Sequence, residues 1–147
     1  GNGKGKTTAA FGLALRAAMS GKKVYIGQFI KGMAYEETKC SQIIPQIKIE
    51  QFGTECFIDR KPGDEDIRLA RKGLDKCMNA LCSGEYDMVI MDEITIAIYF
   101  GLLSDDEVIE AIKKRKNNVE AVLTGRYASE KLIQSTDSVS KKKKKKH

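Results

Sequence analysis

The sequence predicts an α/β fold with a mainly parallel sheet and helices on both faces. Three observations lead there. Strand-like and helix-like hydrophobic patterns alternate along the chain. Met88–Met91 is a short, continuous apolar run between Asp87 and Asp92, as expected of a strand covered on both faces. A glycine-rich segment, Gly1-Asn2-Gly3-Lys4-Gly5-Lys6-Thr7-Thr8, runs directly into a helical pattern, which is how a helix N-terminus is made to receive an anion.

Residues 5–20 are predicted helical because Ala9, Ala10, Leu13, Ala14, Ala17 and Ala18 recur at three- and four-residue spacing. Gly21 stops that helix in the usual C-terminal manner. Val24–Phe29 reads as a buried strand, followed by a loop containing Gly32. Ile47, Ile49 and Phe52 predict a second strand, bounded by Pro45 and Gly53. Pro62-Gly63 marks a turn. Residues 65–82 follow a helical period, with Ile67, Leu69, Ala70, Leu74, Met78 and Leu81 mostly on one face. Ser104-Asp105-Asp106-Glu107 is a capping box ahead of Val108, Ile109 and Ile112. Val119–Leu123 predicts another strand, closed by Thr124-Gly125. A short helix near 129–136 and a brief segment at Ser138–Ser140 complete the pattern.

Composition sets the outer bounds. The 147 residues, 41% hydrophobic and 31% charged with two prolines, suit one globular domain over residues 1–140 and a basic tail over 141–147. The net charge of +6 comes from the six consecutive lysines 141–146, without which 20 basic residues stand against 20 acidic ones. The charge therefore belongs to a solvated end and not to a binding face, and no nucleic acid partner is expected. No apolar run approaches the roughly eighteen residues that span a bilayer, and no signal peptide is read at the N-terminus, so no membrane association is expected. Cys40, Cys56, Cys77 and Cys82 include no CxxC pair, and His147 is the lone histidine. That excludes metal-finger spacing and suggests free thiols in a reducing cytoplasm. Cys77 and Cys82 fall within a helical pattern, where a small core residue is the simplest role.

The opening segment is a phosphate-binding loop of the P-loop NTPase kind. Glycines let backbone N–H groups approach an anion, and the helix start adds positive potential. Lys6 can reach terminal phosphates, and the Thr7 hydroxyl can hold Mg²⁺. Gly1 and Gly5 are separated by three residues, where the general pattern has four. Either the first glycine lies upstream or the loop is one residue short. The strand expected ahead of the loop is absent from the chain, which suggests a start inside a longer gene product. The second half of the site is Met88-Val89-Ile90-Met91-Asp92-Glu93, a strand ending in two carboxylates at the sheet edge where nucleotides bind. Asp92 or Glu93 can meet Mg²⁺ directly or through water. Arg126, just past a strand end, suits phosphate contact. Arg16, three turns down its helix, reads by geometry as a surface residue.

Taken in order, GNGKGKTTAAFGLALRA, VYIGQFIKG, IEQFGTECF, VIMDEI and LTGR closely resemble the CobA/BtuR type of ATP:corrinoid adenosyltransferase over residues 1–139. The short loop GNGKGKT is also characteristic of that family. The resemblance implies transfer of the 5′-deoxyadenosyl group from ATP to the Co(I) of a reduced corrinoid, cob(I)alamin or a precursor, with release of triphosphate in cobalamin biosynthesis or salvage. It implies an ATP site at Gly1, Asn2, Gly3, Lys4, Gly5, Lys6, Thr7, Thr8, Arg16 and Arg126. Lys6 and Glu93 are then the catalytic pair, and Thr7, Glu93 and Asp92 are on the Mg²⁺ side. It further implies a cytoplasmic homodimer served by a flavoprotein reductase. In the family, aromatic residues after the equivalent of Gly53-Thr54 press on the lower cobalt face. Here the segment reads Glu55-Cys56-Phe57-Ile58 without tryptophan, so Phe57 is the corrinoid candidate beside a core-packing role. Gln28, Phe29 and Lys31 lie in the matching QFIKG stretch without an assigned role. The lysine tail departs from the family.

Other functional classes share parts of this pattern. A P-loop ATPase or nucleotide-dependent regulatory protein would use Glu93 to activate water. A basic-tailed module would bind nucleic acid or acidic membranes through residues 141–146. A thymidine kinase would need zinc-binding cysteine pairs, which are missing.

Overall fold

The computed structural model describes residues 3–30, 44–53, 61–125 and 130–132, with side chains described from Ala10 onward. The chain forms α1 (Gly3–Met19), β1 (Val24–Gln28), β2 (Ile47–Gln51), α2 (Asp64–Ser83), β3 (Met88–Asp92), α3 (Ile94–Tyr99), α4 (Asp105–Lys113) and β4 (Glu120–Leu123). The four strands make one sheet in the order β2-β1-β3-β4, and every pairing is parallel. The expected α/β architecture is therefore present.

Strand periodicity sorts the core into two layers. Val24 and Ile26 of β1 and Met88 and Ile90 of β3 pack with Ala10, Ala14, Ala17 and Ala18 of α1 on one face. Tyr25, Val89 and Met91 point the other way, into a cluster with Ala70, Leu74, Cys77 and Leu81 of α2 and Val108 and Ile112 of α4. Every residue of β1 and β3 is buried, because both strands are central and covered twice. The alanines of α1 cover the sheet with little side-chain bulk. On the opposite face, Gly73 of α2 packs against Phe52, where an added Cβ would lie 2.7 Å from the ring.

Boundaries follow local chemistry. Gly21 takes φ +85 after α1, the conformation a glycine stop supplies. β1 ends at Gln28, one residue before the expected end, although the Phe29 N–H still donates to the Asp92 carbonyl at 3.0 Å. The capping box is formed: Ser104 Oγ accepts from the Glu107 N–H at 3.1 Å, and Glu107 Oε1 accepts from the Ser104 N–H at 3.0 Å. At α2 the Asp66 carboxylate likewise accepts from the Gly63 N–H, at 2.8 Å. α3 is a finding that the sequence pattern did not suggest. Ile94-Thr95-Ile96-Ala97-Ile98-Tyr99 is rich in β-branched residues, which favour strand, so its helix is imposed by the packing around it. Of the expected helix near 129–136, residues 130–132 are helical, with Leu132 buried and Lys131 paired to Asp106 of α4. Its remainder, the segment 138–140 and the tail lie outside the described residues, as do Cys40 and Cys56. Cys77 is buried as expected, and Cys82 is partly buried with its thiol donating to the Lys114 carbonyl at 3.2 Å.

Candidate active site at the carboxyl edge of the sheet

Topology places the site. From β1 the chain moves outward to β2, then crosses back through α2 to β3 on the other side of β1. Ligands of open parallel sheets bind where the order reverses, outside the carboxyl ends of the strands. Here that crevice lies at the ends of β1 and β3, where Gln28 and Asp92 are register partners. α1 returns to the amino end of β1 through Gly21, so its own N-terminus lies at the carboxyl edge. The first four N–H groups of an α-helix have no intrahelical acceptor, and the helix dipole makes this end positive.

The helix begins at Gly3, two residues ahead of the expected start at residue 5, so Gly3–Thr8 form its opening turns. A helix start of this kind still offers the unbonded N–H groups of its first turn to an anion. Gly1, Asn2, Phe57 and Arg126 lie outside the described residues. Arg16 lies in the last turn of α1 and is exposed. At 1.5 Å per residue it sits about 15 Å along the axis from Lys6. The fold thus brings the Gly3–Thr8 backbone, Asp92 and Glu93 to one edge and leaves Arg16 near the other.

The alternation of side chains carries this further. Gln28 shares the parity of Val24 and Ile26, and Asp92 that of Met88 and Ile90, so both point to the face that α1 covers. Gln51 and Thr124 keep the same parity with Ile49 and Val122, which pack on that face. These four residues, at or just beyond the ends of all four strands, form one transverse polar ladder. Gln51 Nε2 donates to Gln28 Oε1 at 2.7 Å, and Gln28 Nε2 donates to Asp92 Oδ2 at 3.3 Å. From the other side the Thr124 hydroxyl donates to Asp92 Oδ1 at 2.7 Å and accepts from the Glu93 N–H at 2.9 Å. Gln28 and Asp92 are fully buried, and these bonds are what makes burying an amide and a carboxylate tolerable.

Glu93 follows with φ +61 and ψ +23, the one non-glycine residue with positive φ among the described residues. A left-handed conformation costs a residue with a Cβ about 1–2 kcal/mol. It is held from both sides. The Glu93 N–H is bonded to Thr124, and the Glu93 carbonyl accepts from the Ile96 N–H at 3.2 Å in the first turn of α3. Gly125 closes the arrangement at φ +126, where an added Cβ would lie 2.1 Å from Thr95 Oγ1. The edge therefore presents a buried, hydrogen-bonded carboxylate at Asp92 and a second carboxylate on a strained backbone at Glu93. The positive end of α1 lies over the same edge.

Sequence reasoning named Asp92 and Glu93. It left Gln28 without a role, treated Thr124-Gly125 as a strand closure, and passed over Gln51. Parity alone carries the missing signal: a polar residue ends each strand on the α1 face, but it is readable only once strand order and register are known.

The chain is similar to known proteins along its whole length. The profile of the family described as ATP:corrinoid adenosyltransferase BtuR/CobO/CobP matches residues 1–147. The corrinoid adenosyltransferase of Escherichia coli strain K12 is 33% identical over 148 residues, covering 100% of this chain and 75% of that protein. That of Pseudomonas aeruginosa is 33% identical over 141 residues, covering 95% and 70%. Corrinoid adenosyltransferase CobA of Salmonella typhimurium is 32% identical over 148 residues, covering 100% and 75%. Matched across its whole length and 33% identical to a relative of which it covers 75%, the chain belongs to the ATP:corrinoid adenosyltransferase family.

Proposed function

We propose that the carboxyl edge of the sheet holds the triphosphate of ATP while the ribose C5′ faces the corrinoid. The chain adenosylates a corrinoid with ATP, an activity of the cobalamin pathway. The observation that carries the site assignment is that the start of α1 and the Asp92-Glu93 pair share one edge of the sheet. The reaction needs no protein nucleophile. The Co(I) electron pair attacks C5′, the bond from C5′ to the triphosphate oxygen breaks, and triphosphate leaves with that electron pair. The protein's tasks are to orient C5′ and to stabilise charge on the departing triphosphate.

Within that reading the unbonded amides at the start of α1 and the Lys6 ammonium hold the phosphates. Gly1, Asn2 and Lys4 belong to the same loop. Arg126, next in the chain after Gly125, is the further cation proposed for the triphosphate. Arg16, by its position on α1, stands apart from the triphosphate. The oxygen donors gathered here suit Mg²⁺, which takes one or two carboxylates together with phosphates and water. Glu93 and the Thr7 hydroxyl would hold the ion. Asp92, its oxygens bonded to Gln28 and Thr124, would act through water. The ion would supply charge neutralisation on the leaving group.

Phe57 is the residue proposed to shield the lower cobalt face. Residues 1–140 are proposed as one nucleotide-binding domain, acting in a cytoplasmic homodimer with a flavoprotein reductase. No helix among the described residues is long and apolar enough to cross a membrane.

The leaving group tests the activity. Incubated with ATP and a reduced corrinoid, the protein is expected to form a light-sensitive cobalt–carbon product and one intact triphosphate per adenosyl group. ADP and orthophosphate formed at a rate indifferent to the corrinoid would instead establish a hydrolase, with Glu93 beside an attacking water.

A further inference from the structure

The Thr124 hydroxyl bonds both members of the carboxylate pair, and it does so from the residue that follows β4. It donates to Asp92 Oδ1 at 2.7 Å and accepts from the backbone N–H of Glu93 at 2.9 Å. Thr124 is itself fixed, since its N–H donates to the Met91 carbonyl at 3.1 Å and continues the β3–β4 ladder. Its carbonyl faces the Thr95 N–H and hydroxyl, each at 3.5 Å, so the start of α3 is tied to the same residue. Gly125 follows at a φ open to glycine, with Thr95 Oγ1 filling the space that a side chain would occupy. The far side of Asp92 is closed by Gln28, which Gln51 holds in turn.

We propose that Thr124 is the positioning residue of this active site: its hydroxyl holds Asp92 and the left-handed backbone of Glu93 in one fixed relation. The proposal rests on the assignment of the triphosphate and Mg²⁺ to this edge. Thr124 touches neither substrate. It acts by fixing where the two carboxylates stand when the metal–triphosphate arrives, and a hydroxyl suits this because it can donate and accept at once. An apolar residue of the same shape can do neither. The strain at Glu93 makes the requirement sharper. Without the Thr124 acceptor, one of the bonds that hold the left-handed conformation is lost, and the hold on Glu93 is weakened.

The test compares Thr124→Val, Thr124→Ser and Thr124→Ala with the parent protein. ATP binding is measured by calorimetry with Mg²⁺ and with EDTA, and adenosyl transfer to pre-reduced corrinoid is measured separately. Thr124→Val is expected to lose ten- to a hundredfold of the tightening that Mg²⁺ gives to ATP binding, and to lose kcat by a similar factor. Its metal-free ATP affinity and its KM for corrinoid should stay within twofold of the parent. Thr124→Ser keeps the hydroxyl and should recover both properties to within threefold. Thr124→Ala leaves room for a water to satisfy Asp92, so it guards against a valine variant that fails to fold. It should retain the fold and still lose the Mg²⁺ effect.

Valine and alanine variants with the parental Mg²⁺ effect and kcat would overturn the proposal. So would a serine variant as impaired as valine, since shape and not the hydroxyl would then matter. Failure of the underlying reading looks different: the parent itself would bind ATP equally with and without Mg²⁺, or would transfer no adenosyl group.

Discussion

Gly125→Ala tests whether the carboxyl edge is as tightly built as its geometry indicates. Two independent effects oppose the added methyl. The backbone holds φ +126, a region that residues with a Cβ rarely occupy, and forcing one there costs about 1–3 kcal/mol. The Cβ would also lie 2.1 Å from Thr95 Oγ1. Thr95 is buried in the first turn of α3, and the preceding Thr124 N–H is bonded to Met91, so neither side can yield easily. Overpacking of this kind adds about 1–3 kcal/mol. The sum, about 2–6 kcal/mol, is a large share of the roughly 5–15 kcal/mol by which a domain is stable. In a domain of this size it corresponds to a fall in Tm of roughly 5–20 °C.

Urea and thermal melts followed by circular dichroism read the effect, and two further variants separate its causes. In Gly125→Ala/Thr95→Ala the collision is gone and the backbone strain remains, so a double-mutant cycle should return a coupling of about 1–3 kcal/mol. Gly12→Ala is the counterexample. Gly12 lies inside α1 with nothing within 4 Å of an added Cβ, so the substitution should raise stability by about 0.5–1 kcal/mol. A Gly125→Ala protein within about 0.5 kcal/mol of the parent, the scatter of inconsequential surface changes, would refute the reasoning.

Lys6→Ala removes a charge-assisted contact to the triphosphate and should weaken ATP binding at least tenfold by calorimetry, with parental affinity counting against the phosphate-loop assignment. Ser104→Ala deletes the hydroxyl that accepts from the Glu107 N–H and should cost about 1 kcal/mol in urea melts, and an unchanged midpoint would mean that α4 does not depend on its cap. Stability should also fall in alkali. Burial pushes the Cys77 thiol up from its ordinary 9.0, with a small push from Glu50, and burial together with the hydrogen bond to Glu50 pushes the Tyr25 phenol up from 10.0. Both groups then keep their protons in the folded state when the unfolded chain has lost them. Their contribution is whole below about pH 9 and is lost as the pH rises above it. Tm measured against pH should show this decline, and Cys77→Ala should delay its onset towards pH 10; a curve identical to the parent's would refute the Cys77 part.

Several features were legible from the residues alone, and each rests on short-range chemistry. The twofold-buried strand at Met88–Asp92 announces itself by an unbroken apolar run between acids. The α4 cap is readable as Ser104 three residues before Glu107, because a capping box is made within one turn. The glycine-rich start of α1 is likewise a local arrangement of glycines, lysine and threonine. The helix Ile94–Tyr99 was not legible, since its β-branched residues argue for strand and only the packing between β3 and β4 overrides them.

The site divides the same way. Asp92 and Glu93 stand out in sequence as acids ending an apolar strand. The partners that hold them are 31 to 64 residues away along the chain. Gln51, Gln28, Asp92 and Thr124 become neighbours only because the strand order is β2-β1-β3-β4 and the register sets Gln28 opposite both Gln51 and Asp92. The sequence by itself determined the class of fold, the glycine-rich start of α1 and the acidic strand end, for these are properties of contiguous residues. Strand order, register and the left-handed turn at Glu93 were decided by tertiary structure, because they arise where hydrogen bonds cross the sheet between segments whose own sequences do not specify their neighbours.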